Sequence, residues 1–152
     1  MSCSFSGVLF RRIEENEEKE LDDLAKMALH CSRIFLGVMF LVAGINGYFV
    51  IFGWEPFIAT SPEAMALFEF KYLLITEKSL EIICGILLLS NRFVPLAIAI
   101  LAPIVTNILL LHLFLDHSLL PLAVLLVLAI SYLLFSYRKN FTGIVERKAN
   151  PS

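Results

Sequence analysis

Apolar and polar positions are segregated along this chain in long blocks, not interleaved. The opening thirty positions are mostly polar, and residues 14–23 hold seven acids and one lysine. Leu21, Leu24, Ala28 and Cys31 recur there at helical spacing, which predicts a solvated helix. Four apolar segments follow, at 32–52, 72–90, 93–115 and 119–137. Each is about 19 to 23 residues, enough to cross a hydrocarbon core of ~30 Å as a helix. These runs are rich in Leu, Ile and Phe and lack the alternation of a barrel strand, so in lipid they satisfy their backbone hydrogen bonds as helices. The expected fold class is therefore all-α: an integral membrane four-helix bundle with an N-terminal cytoplasmic helical segment. Its parts are an acidic N-terminal segment (1–31), a transmembrane domain (32–137) and a basic cytoplasmic tail (138–152).

The loop at 53–71 opens with Trp54, which suits the headgroup level, and contains Ser61-Pro62-Glu63, a capped helix start with proline at the first position. Met65 and Phe68 lie three apart behind it, which predicts a short amphipathic helix on the outer interface.

Composition supports the same picture. With 59% hydrophobic residues and a mean hydropathy of +0.82, there is too little polar sequence between Ser32 and Tyr137 to make a water-facing shell, which excludes an ordinary soluble enzyme. A cleaved signal peptide needs a short basic start and then an apolar run; here the apolar run comes late, so the first span is expected to be retained. Lys19, Lys26, Arg33, Arg92, Arg138, Lys139, Arg147 and Lys148 flank one side of the spans, and Lys71 alone clearly flanks the other. This asymmetry places both termini and the tight Asn91-Arg92 turn in the cytoplasm, with Glu55, Glu63, Glu69, Asp116 and His117 outside. The net charge of -2 and the lack of a basic patch interleaved with aromatics exclude a nucleic-acid partner. Cys3, Cys31 and Cys84 form no CxxC, which excludes a disulfide scaffold.

Chemistry is sought where a polar residue is costly. Glu77, Lys78 and Glu81 lie inside the second span; Glu77 and Glu81 share a face, and Lys78, three before Glu81, can pair with it. Asn46 lies in the first span, Thr106, Asn107 and His112 in the third, where Pro103 bends the helix. Counted at 1.5 Å per residue, Asn46, Glu77, Glu81, Asn107 and His112 fall within roughly 5 to 14 Å of the outer boundary. This predicts a polar pocket in the outer half of the bundle, with ligand-binding candidates Glu81, Asn107, His112, Asn46, Lys78 and Glu77. The competing reading is that these groups bond helices together at about 0.6 to 2 kcal/mol each, and it is favoured for Asn46. A helical wheel separates Asn107 from His112 by about 140°, so at most one of them faces the pocket squarely. No metal site is expected, since no second histidine lies in any span. Gly37, Gly44 and Gly47 read as close helix contacts, and Cys84 as a small core residue.

Arg33-Ile-Phe-Leu-Gly37 with Gly44, Glu81-Ile-Ile-Cys-Gly85-Ile-Leu-Leu-Leu89, Asn91-Arg92-Phe93-Val94-Pro95-Leu96, and Ala102-Pro103 with Asn107 and His112-Leu-Phe-Leu115 together resemble the bacterial DoxX family of small four-span membrane proteins. The resemblance runs from about Ser32 to Tyr137. It implies kinship with the membrane subunit of thiosulfate:quinone oxidoreductase and a link to complexes that handle thiols and oxidative stress. The recurring polar positions of that family correspond here to Arg33, Glu81, Asn107 and His112. Many members carry a lysine near Asn46-Gly47, and most lack the acidic prefix, which suggests a cytoplasmic partner.

The leading expectation is an accessory subunit of a membrane oxidoreductase system. Its pocket would hold a quinone-like or small sulfur-containing ligand, with electrons supplied by a membrane or cytoplasmic redox partner or by the quinone itself. The alternatives are a proton-coupled small-molecule carrier using Glu81 and His112, and a non-catalytic assembly factor.

Overall fold

The computed structural model describes residues 3–58 and 70–141. Among these residues every regular element is helical and none is a strand. In chain order they are α1 (Cys3–Phe52), α2 (Lys71–Leu89), α3 (Val94–Phe114), a 3-10 turn at His117–Leu119, α4 (Leu120–Ser136) and a last short helix, α5 (Arg138–Phe141). The expected interfacial helix at Ser61-Pro62-Glu63, with Met65 and Phe68, lies outside the described residues, as do Arg147 and Lys148.

Among the described residues, three helical stretches are long and apolar enough to cross a membrane: Glu14–Phe52, Val94–Phe114 and His117–Ser136. They are compatible with a multi-pass membrane protein in contact with lipid. Helix α2 has the length, 19 residues, but carries Lys71, Glu77, Lys78 and Glu81, and that charge sets it apart from the other three.

The chain divides into two compact units, Met1–Cys31 and Ser32–Ser152. In the first, Lys26 lies 3.8 Å from Asp22 and 3.6 Å from Asp23, one helical turn away in each case. These solvent-exposed pairs add little stability.

In the second unit the interior is built from one stripe of each helix. Leu36 and Phe40 of α1, Leu74, Cys84 and Leu88 of α2, Ala97, Ile98, Leu101 and Val105 of α3, and Ala123, Leu126, Ile130 and Leu133 of α4 are buried. The opposite faces are equally apolar: Ile34 and Val38, Ile83 and Ile86, Leu96 and Leu110, and Leu128 and Phe135 are all exposed. A helix apolar all round is stable only where its outer face also avoids water.

Helices α1 and α2 run antiparallel with their backbones in close approach. A Cβ on Gly85 would stand 2.9 Å from the carbonyl oxygen of Gly37 and 3.0 Å from the amide nitrogen of Leu41. A Cβ on Gly44 would meet the Ile82 side chain at 2.6 Å and the Lys78 carbonyl oxygen at 3.1 Å. Missing side chains at Gly37, Gly44 and Gly85 therefore set this distance, as small residues do between helices in lipid. At one end of the pair, buried Arg33 donates from Nη1 to Oδ1 of Asn91. Asn91 has φ 56° and Phe93 φ 50°, so the α2–α3 turn is made by two left-handed residues. Asparagine tolerates this conformation better than a bulky side chain does, and Arg33 holds that asparagine in place. At the other end, Phe49 meets Trp54 and Phe57 edge to face, with centroids 5.4 Å and 5.6 Å apart.

Candidate functional site

The cluster with the highest cost of burial lies on α2. Helical spacing puts Glu77, Lys78 and Glu81 on neighbouring faces, and packing of that side against α1 removes them from solvent. Glu81 is 1% exposed, while the Lys78 and Glu77 side chains are 16% and 17% exposed. Lys78 donates from Nζ to Oε1 of Glu81 at 2.8 Å, and its Nζ is 3.7 Å from Oε1 of Glu77. One ammonium thus faces two carboxylates, and with all three ionised the cluster carries one formal negative charge. The second carboxylate oxygen of Glu81, Oε2, is buried and has no hydrogen-bond partner among the described residues. Most buried polar atoms are paired, and an orphan of this kind calls for a donor.

Gly47 lets this arrangement form. A Cβ there would overlap Cγ and Cδ of Lys78, so the lysine stem crosses α1 through the space that glycine leaves open. Beside it, Ser79 spends its hydroxyl hydrogen on the Ile75 carbonyl at 2.6 Å. Tyr48 therefore donates to Ser79 across the 2.7 Å contact between them, a second polar link from α1 to α2. Sequence reasoning found Gly47 as a helix contact but missed that it makes room for a lysine, and it missed the Tyr48–Ser79 link altogether. An intrahelical i−4 bond is the local signal that Ser79 is left as an acceptor.

The other candidates do not converge on Glu81. Asn46 is buried and bonded twice to one residue: its Nδ2 donates to the Ile58 carbonyl at 3.0 Å, and the Ile58 amide donates to its Oδ1 at 2.9 Å. It clamps the segment after Trp54 onto α1, a structural use of the side chain. On α3 the packing resolves the choice left open by the helical wheel. His112 is half-buried and continues the buried row of Leu101 and Val105, whereas Asn107 is exposed. His112 donates from Nδ1 to the Asp116 carbonyl at 2.8 Å, which puts a hydrogen on Nδ1. Asn107 is exposed on another face of α3, apart from the interior cluster. Cys84, one turn from Glu81, is fully buried core.

Asn46→Ala is expected to release the Ile58 amide. Its hydrogen exchange should speed up at least tenfold, and helix α1 should keep its own protection, because two hydrogen bonds of about 1 kcal/mol each are lost from one segment. Unchanged exchange at Ile58 would show that the clamp is not formed.

Comparison with known proteins finds no matching family model, no matching curated protein and no matching solved structure.

Proposed function

We propose that α1 to α4 form a four-helix bundle in a bacterial cytoplasmic membrane, with both termini in the cytoplasm. In this reading the protein is a DoxX-like accessory subunit of a membrane oxidoreductase system. It holds a quinone-like or small sulfur-containing ligand at Glu81. One observation carries the ligand site: Glu81 Oε2 is buried without a hydrogen-bond donor among the described residues. A quinol hydroxyl or a thiol supplies that donor, and the Lys78 ammonium beside it is placed to donate to an oxygen on the same ligand. Orientation is supported by Arg33, Arg92, Arg138 and Lys139, since Arg33 bonds the turn that carries Arg92 and basic residues favour the cytoplasmic side.

The test is extraction. Wild-type protein purified in mild detergent should yield a quinone or sulfur compound in its organic extract by mass spectrometry. Glu81→Gln should lose it at least tenfold while remaining monodisperse, and Glu77→Gln should keep most of it. An empty extract from wild-type protein would reject the ligand reading. The proton-coupled carrier is the second reading, favoured by the two carboxylates facing one lysine, a set that one added proton neutralises. It predicts uptake into proteoliposomes driven by a pH gradient and lost in Glu81→Gln, whatever the extract contains.

A further inference from the structure

We propose that a second copy of this chain docks on the outer face of α3, held by reciprocal hydrogen bonds between the two Asn107 side chains. The inference rests on the reading that Val94–Phe114 crosses a bilayer, because only in hydrocarbon is an exposed amide costly. Asn107 is exposed and has no hydrogen-bond partner among the described residues, although the helix around it is apolar. Its neighbour Thr106 differs: it donates to the Ala102 carbonyl at 2.9 Å and needs nothing further. Pro103, also exposed, has no N–H, so the carbonyl of Ala99 one turn earlier on the same face lacks its usual helical donor. The face therefore carries an unmet amide and an unmet carbonyl within about two turns of each other.

A side-chain amide is self-complementary, with donor and acceptor on one planar group. Two copies related by a two-fold axis satisfy both Asn107 side chains with the same residue, as an isologous interface requires. The rest of the face suits a helix partner. Leu96, Ala99, Pro103, Thr106, Leu110 and Leu113 are all exposed and follow one another at alternating spacings of three and four, the repeat of a helix–helix seam. Ala99 is small, so a neighbouring backbone can come close there. Asn107 flanks the middle of that seam, where one polar residue sets register.

The experiment measures association of full-length chains, labelled in two colours and reconstituted in lipid vesicles, by energy transfer across a range of protein-to-lipid ratios. Wild-type chains should pair; Asn107→Leu should weaken pairing roughly tenfold, as expected for loss of interhelical hydrogen bonds. Thr106→Val should pair like wild type, and Asn107→Gln should restore most of the affinity. With Cys3 and Cys31 replaced by serine, Leu110→Cys should cross-link chain to chain. A wild-type monomer retained in membranes, undiminished pairing by Asn107→Leu, or cross-linking only to a different protein would each overturn the proposal. Release of the wild-type chain from membranes by alkaline wash would overturn the membrane reading, and the dimer with it.

Discussion

Lys78→Met is expected to destabilise the folded chain by about 3 to 5 kcal/mol, the cost of removing one partner from a buried charge pair. The substitution keeps the length and most of the volume of the stem that crosses Gly47, so packing against α1 is retained and the loss reports charge. Without the ammonium, Glu81 at 1% exposure and Glu77 share one apolar surrounding with no cation between them. Glu81→Leu alone should cost less, because Lys78 still has Glu77 at 3.7 Å. Adding Glu81→Leu to Lys78→Met should recover much of the loss, giving a coupling of about 1 to 3 kcal/mol in the double-mutant cycle. Thermal unfolding in detergent reads all four corners. A cost for Lys78→Met of less than about 0.5 kcal/mol, the range of surface changes, would show that the cluster is solvated.

Gly85→Leu is expected to prevent α1 and α2 from packing, and Gly85→Ala to cost about 1 to 3 kcal/mol, as overpacking does. The reason lies in what the new atom meets. At Gly85 the nearest atoms to an added Cβ are the backbone oxygen of Gly37 and the backbone nitrogen of Leu41, at 2.9 Å and 3.0 Å, and neither can swing aside as a side chain does. The helices must separate, which also strains the Arg33–Asn91 bond at one end and the Tyr48–Ser79 bond at the other. Ile86→Ala, next in sequence but 52% exposed, serves as the control and should change little. Equal effects at 85 and 86 would mean that the close approach of the two backbones is not what holds this pair of helices.

Much of the fold was legible without coordinates because its determinants are local. A run of apolar residues near 20 long forms a helix through bonds between residues four apart. Helices α2, α3 and α4 begin and end within about two residues of the expected bounds, as at α3, expected over 93–115 and found at Val94–Phe114, whereas α1 ends at Phe52 as expected but runs unbroken from Cys3. The same locality explains the Lys78–Glu81 pair, since residues three apart on a helix are neighbours wherever the helix goes. The tight Asn91-Arg92 turn was visible too, because too few residues separate the apolar runs for any longer connection.

What the sequence alone determined is therefore position along each helix: where α2, α3 and α4 begin and end, how far along its helix each polar residue lies, and which neighbours on one helix can pair. Equal depth suggested one pocket, and depth is a single coordinate. The second coordinate, azimuth, is chosen by which faces pack, and packing depends on residues far apart in the chain. Only the tertiary structure decided that His112 lies on the buried row of α3 while Asn107 is exposed, and that Asn46 bonds the backbone of Ile58. It also gave Gly47 its task of making room for the stem of Lys78. Each outcome follows from the register of α1 against α2 and of α3 against its neighbours, which is settled by fitting backbones at Gly37, Gly44 and Gly85 and side chains around them.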